Sequence, residues 1–189
     1  MLTVSDALKQ PISTRRFLAK PVSRERLIEI LDAARWSPSG GNLQPWNVVA
    51  VAGAEREAII ALARSAKAAD EAGGGRRGHA LPVASHFEFL GAPVGLFFVV
   101  DRRMGRGQWA HSGMLMRTID LIAREHGLGS CTQEFRGTFQ ESLGQHFGLA
   151  ETDVISYGMA LGFPDPAAPV NQLRSERAAV EEFASLRGF

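Results

Sequence analysis

Three clusters of polar and basic side chains stand out as the residues that could do chemistry in this chain of 189 residues. They are Ser13 with Arg15 and Arg16, the loop formed by residues 38–44, and Arg174 with Arg177. Guanidinium groups bind phosphate through paired hydrogen bonds, so two arginine-bearing segments far apart in sequence could converge on one phosphate. The composition alone equally allows these arginines to be solvated surface residues.

The loop of residues 38–44 has the composition of a binding site for a flat ring with polar edges. Its two adjacent glycines permit positive φ angles and allow a ligand to approach the backbone closely. Ser39, Asn42 and Gln44 offer both hydrogen-bond donors and acceptors. An ordinary turn between a helix and a strand uses the same residue types, so both interpretations stay open from the residues alone.

Other kinds of chemistry find little support in the sequence. The five histidines form no short metal-binding pair, and Cys131 is the only cysteine. There is no P-loop, no Gly-x-Ser-x-Gly motif and no Gly-x-Gly-x-x-Gly motif after a predicted strand. A lone cysteine is more often a small buried hydrophobic residue than a nucleophile. We therefore expect neither a metal site nor a nucleophilic side chain.

The composition is that of one globular domain, with 45% hydrophobic and 22% charged residues. The formal net charge of +1 creates no field that would favour nucleic acid or an anionic membrane. No apolar run approaches the ~20 residues that span a bilayer, and the first residues lack the pattern of a signal peptide. A single cysteine fits a reducing compartment. We expect a cytoplasmic domain over residues 1–189, with an extended tail from about residue 164.

Hydrophobic periodicity predicts helices and strands in a mixed order along the chain. Predicted helices cover residues 5–10, 24–36, 55–67, 108–126, 138–147 and 180–186. Predicted strands cover 48–52, 94–100 and 154–161, and residues 130–135 are expected to be a short strand or an irregular segment. Ser5 and Ser23 are the expected N-caps of the first two helices. Thr138 and Glu141 form a capping box, and Gly127 and Gly129 are expected to end the helix before it.

Two predicted elements have unusually apolar surfaces. The strands at 48–52 and 94–100 are continuous apolar runs, which is typical of strands buried on both faces. The helix at 108–126 carries apolar residues on more than one side, so we expect a central helix with part of its surface in a subunit interface.

Several motifs resemble the nitroreductase family. Ser13-Thr14-Arg15-Arg16-Phe17 and Pro38-Ser39-Gly40-Gly41-Asn42-Leu43-Gln44-Pro45-Trp46 resemble its N-terminal half, and Gly127-Leu128-Gly129-Ser130-Cys131-Thr132-Gln133-Glu134 with the closing Asn171, Arg174 and Arg177 resembles its C-terminal half. The resemblance covers most of the chain in the same order. It implies an α+β fold with a small mixed sheet flanked by helices, and an intertwined homodimer with two sites at the interface.

The resemblance also implies the activity of an FMN-dependent oxidoreductase. A hydride from NADPH or NADH would pass through flavin N5 to a nitroaromatic, quinone or similar acceptor by a ping-pong mechanism, without a catalytic side chain. The segment matching residues 13–16 would hold the phosphate, ribityl chain and pyrimidine edge, and residues 38–42 would come from the other subunit. The implied cofactor-binding residues are Ser13, Arg15, Arg16, Pro38, Ser39, Gly40, Asn42, Gln44, Thr132, Gln133, Glu134, Arg174 and Arg177.

The chain departs from the family pattern in two places. Pro11 stands where the family usually has an arginine, so one cofactor contact is absent or supplied elsewhere, for example by Arg16. Residues 65–87 are short and rich in Gly and Ala where relatives often cover the pocket. The short segment leaves the substrate class open. One alternative is another flavin reaction, such as reductive dehalogenation or flavin fragmentation, although the short segment argues against it because such relatives usually add residues that clamp the substrate. The other is a flavin-binding regulator that is not an enzyme. The physiological acceptor and the choice between NADH and NADPH also stay open.

Overall fold

The computed structural model of the chain describes residues 4–9, 13–72, 88–134 and 138–189. The helices are α1 (Val4–Lys9), α2 (Arg24–Ala34), α3 (Gly53–Ala72), α4 (Arg106–Glu125), α5 (Thr138–His146) and the single turn α6 (Val180–Phe183). The strands are β1 (Asn47–Ala52), β2 (Val94–Asp101), β3 (Gly129–Gln133) and β4 (Asp153–Gly162). Short 3-10 turns lie at Gly40–Asn42, Phe89–Gly91 and Pro169–Gln172.

The four strands form one sheet in the order β1-β2-β4-β3. We expected a mixed sheet, whereas every neighbouring pair among the described strands is antiparallel. The register places Asn47 opposite Val99 and Gln133 opposite Gly158. The predicted α+β class is confirmed, and β1 is an edge strand with one hydrogen-bonded neighbour, β2.

Two layers of helices enclose the sheet because the side chains of β2 alternate between two buried faces. Phe97 and Val99 point to the layer of α3 and α5, where the core includes Ile59 and Leu143. Leu96 and Phe98 point to the layer of α2 and α4, which contributes residues such as Ile30 and Ile119. The predicted burial of β2 on both faces is confirmed.

The start of α2 is fixed by Ser23, as predicted. The Ser23 hydroxyl accepts a hydrogen bond from the N–H of Arg26 at 3.1 Å, which satisfies one of the free donors of the first turn. After the helix ends, the Ser37 hydroxyl donates to the carbonyl of Ala34 at 2.7 Å. This bond turns the chain into the loop of residues 38–44.

Several sequence expectations need correction. Ser5 lies inside α1 and is not its N-cap, since that helix begins at Val4. The helix α3 continues to Ala72, past the predicted end at residue 67, because its alanines favour helix more than expected. β1 is only partly buried: Val51 is buried, Val48 and Val49 are half-buried against the two core layers, and the other three residues are exposed, because the helices cover this edge of the sheet incompletely. Pro11, Phe135 and residues 73–87 lie outside the described residues.

An unusual turn precedes β2. Phe89 and Leu90 have φ angles of 52° and 57°, in the left-handed region that side chains with a Cβ rarely adopt. The Arg56 guanidinium donates to the carbonyls of Glu88 (3.0 Å) and Ala92 (2.7 Å) on either side of this turn. The conformation persists because both side chains are buried and Arg56 holds both of its ends.

Candidate functional site

The segment of residues 13–18 is held along the β3 side of the sheet by its backbone. The N–H of Thr14 donates to the carbonyl of Ser130 at 2.8 Å, and the N–H of Leu18 donates to the carbonyl of Phe163 at 2.9 Å. Phe17 forms an isolated bridge with Pro164. Because the backbone is committed to the sheet, the exposed side chains of Arg15 and Arg16 remain available to a ligand.

Gly129 allows this segment to approach β3. A Cβ at position 129 would lie 2.2 Å from the Thr14 hydroxyl oxygen and 2.9 Å from Cγ of Pro164. We expected Gly129 to end the preceding helix, but it is the first residue of β3. The helix α4 ends at Glu125, with His126 as its C-cap, and Gly127 follows with a φ of 69° that suits glycine.

Asn171 joins the start of the C-terminal tail to the same segment. Its side-chain oxygen accepts hydrogen bonds from the N–H groups of Arg15 (2.8 Å) and Arg16 (3.2 Å). Its side-chain nitrogen donates to the carbonyls of Arg16 (2.8 Å) and Asp165 (2.9 Å). The backbone of the first predicted cluster, at Arg15 and Arg16, is therefore joined to the tail that carries the third, through the side chain of Asn171 at the start of that tail (the tail root).

A pocket of about 160 Å³ opens between this segment, β3 and α4. It is lined by Ser13, Gly113, Met116, Arg117, Asp120, Ser130 and Thr132. Two predicted site residues, Ser13 and Thr132, thus face one space, although they are far apart in sequence. Thr132 is exposed, and Gln133 is buried at the end of the strand.

A buried charged cluster forms the α4 side of this pocket. The Asp120 carboxylate, only 3% exposed, accepts hydrogen bonds from Ser130 Oγ (2.6 Å), from Arg124 (3.0 Å) and from Arg117. One carboxylate between two guanidinium groups leaves the cluster with a formal charge of +1. We did not predict it from the sequence, although the spacing of Arg117, Asp120 and Arg124 on an apolar helix was a usable signal.

Cys131 is buried in the core layer of α3 and α5, whereas its neighbour Ser130 faces Asp120 on α4. Burial raises the pKa of its thiol, and the charge of Arg15 and a hydrogen bond with Ser13 partly oppose that rise. A thiol with a raised pKa is a poor nucleophile at neutral pH.

The loop of residues 38–44 folds as a tight turn with two non-glycine residues at positive φ. Asn42 has a φ of 54° and Gln44 a φ of 46°. The Ser39 hydroxyl accepts a hydrogen bond from the N–H of Gln44 at 3.0 Å, so this side chain stabilises the loop. Within the described residues the Asn42 side chain makes no hydrogen bond, and it is exposed. Pro38 and Gly40 are exposed as well.

The structure does not bring this loop to the pocket. The N–H of Gly40 donates to Nε2 of His111 on α4 at 3.3 Å, and Nδ1 of His111 pairs with Oε1 of Gln108 at 3.0 Å. At about 100° per residue, His111 lies about 180° around the helix from Asp120, which lines the pocket. Within one chain, α4 therefore separates the second predicted cluster from the first.

Arg174 and Arg177 lie in the exposed tail, close in sequence to Asn171. The Arg174 guanidinium donates to the carbonyl of Gln172 at 2.9 Å, and that of Arg177 donates to the carbonyl of Glu176 at 2.9 Å. Both side chains are thus turned back onto the tail. Glu134 follows the end of β3 and is exposed.

In the parts of the chain that the structure describes, no group of three or more His, Cys, Asp or Glu residues is placed to hold a metal ion. No helix in those parts is long and apolar enough to cross a membrane. A larger cavity of about 950 Å³ between α4, α5 and the start of β4 contains none of the predicted site residues.

The fold and the site together define an α+β protein with a small pocket between a basic segment, polar residues of β3 and a buried charged cluster on α4. Residues 8–163 match the nitroreductase family, and the chain belongs to that family.

Individual relatives match over nearly the whole chain. The 4-nitrobenzoate reductase of Pseudomonas putida is 30% identical, over 100% of this chain and 99% of its own length. The nitrobenzene nitroreductase of Ectopseudomonas oleovorans is 30% identical, over 96% of each chain. The crystal structure of the FMN and NADPH-dependent nitroreductase NfnB from Sphigopyxis sp. strain HMH matches with a TM-score of 0.90 and 30% identity, over 100% of both chains.

Proposed function

We propose that this protein is an FMN-dependent nitroreductase that uses NADPH or NADH as its co-substrate. The relatives just described reduce nitroaromatic compounds by name, and the matched crystal structure is described as dependent on FMN and NADPH. Bound FMN would supply the redox chemistry, by accepting a hydride at N5 and passing it to a nitroaromatic, quinone or similar acceptor.

The observation that carries this proposal is the set of donors around residues 13–16. The backbone of the segment is hydrogen-bonded to β3, β4 and Asn171, while neither the Arg15 nor the Arg16 guanidinium donates to another described residue. Two uncommitted guanidinium groups and the Ser13 hydroxyl suit a phosphate and a ribityl chain. The chemistry of this donor set fits FMN.

The pocket beside this segment suits the polar edge of a flavin ring. Thr132 and Ser13 offer hydroxyl groups, and the cluster of Arg117, Asp120 and Arg124 contributes net positive charge. Positive charge near the pyrimidine edge stabilises the reduced flavin, because that edge gains electron density on reduction. We infer that Gln133 and Glu134 line the same cofactor through the end of β3.

We further infer that Arg174 and Arg177 turn from their own tail toward the phosphate. Each guanidinium now bonds carbonyls of the exposed tail, so little free energy opposes the change of partner. Asn171 already places the root of the tail beside Arg15.

A complete site of this kind needs two chains, and we propose a homodimer. The loop of residues 38–44 and the pocket lie on opposite sides of α4, so one chain cannot present both to one ligand. Between them the helix exposes Met114, at 45%, and half-exposed Leu121. If a second copy packs on this apolar stripe by two-fold symmetry, the loop of each chain approaches the pocket of the other. Pro38, Ser39, Gly40, Asn42 and Gln44 would then act in the partner's site.

The tail and the sheet edge also support the dimer. Leu173, Phe183 and Leu186 are each more than 65% exposed in the isolated chain, which is unusual for large apolar residues in one tail. The β1 edge carries unpaired backbone groups. We infer one domain over residues 1–189, whose tail from about residue 164 wraps the partner, and a cytoplasmic location that keeps Cys131 reduced.

An anaerobic titration of the purified protein with NADPH and with NADH tests the function. We expect a bound flavin whose absorbance near 450 nm bleaches with one nicotinamide and returns on addition of a nitroaromatic acceptor. A protein that binds FMN but is inert to both nicotinamides would support the flavin-binding regulator instead.

Asn42→Gly tests the role of the loop. Glycine keeps the positive φ at position 42, whereas leucine would add strain there and lower stability for reasons unrelated to the ligand. We expect Asn42→Gly to keep the melting temperature of the apoprotein and to weaken FMN binding by about tenfold, since a ring polar group loses its partner. Unchanged affinity would remove Asn42 from the site.

A further inference from the structure

We propose that Asn171 is a positioning residue, which sets the backbone of Arg15 and Arg16 so that their two guanidinium groups converge on the phosphate of the cofactor. The proposal rests on the proposed function, and it adds a residue of the tail root that does not itself touch the ligand.

The hydrogen bonding of Asn171 is complete. A carboxamide can accept two hydrogen bonds at its oxygen and donate two from its nitrogen. Here the oxygen accepts from the N–H groups of Arg15 and Arg16, at 2.8 and 3.2 Å. The nitrogen donates to the carbonyls of Arg16 and Asp165, at 2.8 and 2.9 Å. Asn171 therefore has no capacity left for a ligand, and its contribution is made through the segment that it holds.

The geometry of these bonds constrains the backbone closely. The successive N–H groups of Arg15 and Arg16 share one oxygen acceptor, so their two peptide planes are held in one relative orientation. The carbonyl of Arg16 is also held by the N–H of Asp165 at 3.1 Å, so the peptide groups of both arginines are fixed. Both arginine side chains are exposed and leave this fixed backbone, so Asn171 sets the region that the two guanidinium groups can reach.

No smaller or simpler side chain provides this set of bonds. Leucine has the size of asparagine but leaves two N–H groups and part of two carbonyls without partners. Serine keeps a hydroxyl and leaves room for a water molecule, so it restores some of the bonds. The neighbouring Gln172 is a matched control, because its amide donates to the carbonyl of Pro166 at 3.0 Å and does not contact residues 15 or 16.

The test compares FMN with riboflavin, which lacks the phosphate, on the full-length apoprotein. Dissociation constants come from quenching of flavin fluorescence, and melting temperature reports folding. For Asn171→Leu we expect the Kd for FMN to rise about 10- to 100-fold while that for riboflavin rises less than about threefold. Asn171→Ser should show a smaller rise, about 3- to 10-fold, and it decides the matter if the leucine variant does not fold. Gln172→Leu should change neither constant more than about twofold.

The outcomes separate this proposal from the function on which it rests. Equal losses of FMN and riboflavin affinity in the Asn171 variants would mean general damage and would overturn the proposal alone. So would wild-type FMN affinity in Asn171→Ser and Asn171→Leu. A wild-type chain that binds neither flavin would overturn the proposed function and this proposal with it.

Discussion

Gly129→Ala should damage the candidate site through contact alone. Residue 129 is not at positive φ, so alanine suits its backbone, and only the available space decides the effect. The new Cβ would lie 2.2 Å from the Thr14 hydroxyl oxygen, 3.0 Å from Thr14 Cβ and 2.9 Å from Pro164 Cγ. Rotation of the threonine side chain relieves only the first of these contacts, so the segment of residues 13–18 must move away from β3.

The loss of stability in Gly129→Ala can be estimated from how far the new contacts fall short of ordinary van der Waals distances. The hydroxyl oxygen is about 1.2 Å short of an ordinary contact of 3.4 Å, and Thr14 is buried with its N–H bonded to Ser130. Overpacking of this kind costs about 2–3 kcal/mol, the upper part of its usual range. For a chain of this length each kcal/mol lowers the melting temperature by about 2–4 °C. We expect a decrease of about 4–12 °C in the apoprotein, together with weaker FMN binding.

Two further variants make this test decisive. Gly144→Ala, in α5, places its Cβ where no atom lies within 4 Å and should stabilise the protein by about 0.5–1 kcal/mol through helix propensity. Thr14→Ala in the Gly129→Ala background removes the worst contact and should recover part of the lost stability. Thermal unfolding by circular dichroism measures all three. A Gly129→Ala variant with the wild-type melting temperature and FMN affinity would refute the close approach of Thr14 to β3.

Three other predictions follow from contacts outside the site. Arg56→Met removes the hydrogen bonds that hold the left-handed turn at Phe89–Gly91 and should cost about 2–4 kcal/mol in urea unfolding, whereas Arg64→Met, which loses an exposed ion pair with Glu88, should cost less than about 1 kcal/mol. Burial raises the pKa of the Cys131 thiol, so iodoacetamide at pH 8 should alkylate the folded chain at least about tenfold more slowly than the chain in urea. The Arg103 side chain lowers the pKa of Asp101 from 3.8 to about 2, chiefly by a hydrogen bond. The stability that this interaction contributes is present above about pH 4 and is lost as the pH falls toward 2. Arg103→Ala should therefore flatten the dependence of stability on pH between about pH 4 and pH 2.

Local signals in the sequence predicted the positions of helices and strands well, and predicted their burial less well. Ser23 was recognisable as an N-cap because its partner is three residues away. The burial of β1 was predicted wrongly, since an apolar run is the same in a central strand and in an edge strand that a second chain could cover. The pairing order of the strands determines which of these applies, and that order is not a local property.

The candidate site shows the same division. The arginines at 15, 16, 174 and 177 were recognised in the sequence as candidate ligand-binding residues. The role of Asn171 was not, because it depends on backbone groups 155 and 156 residues earlier in the chain. The ion cluster around Asp120 was overlooked because apolar neighbours dominate the pattern of α4. Positive φ angles at Asn42 and Gln44 could not be deduced from residue type, since both residues also occur in ordinary turns.

The hydrogen bonds between residues 14–18 and residues 130–171 have a consequence for the order of events during biosynthesis. Ribosomes add about 5–20 residues per second, so Arg15 precedes Asn171 by roughly 10–30 s. During most of that interval the N-terminal segment lacks partners, because Ser130, Phe163 and Asp165 are also added late, and closing so long a loop is slow compared with the formation of local helices. The candidate pocket is therefore among the last parts of the molecule to form. A nascent or prematurely terminated chain could build α2, α3 and β1 while remaining unable to take up its ligand, so cofactor loading itself marks a chain that has been translated past the tail root.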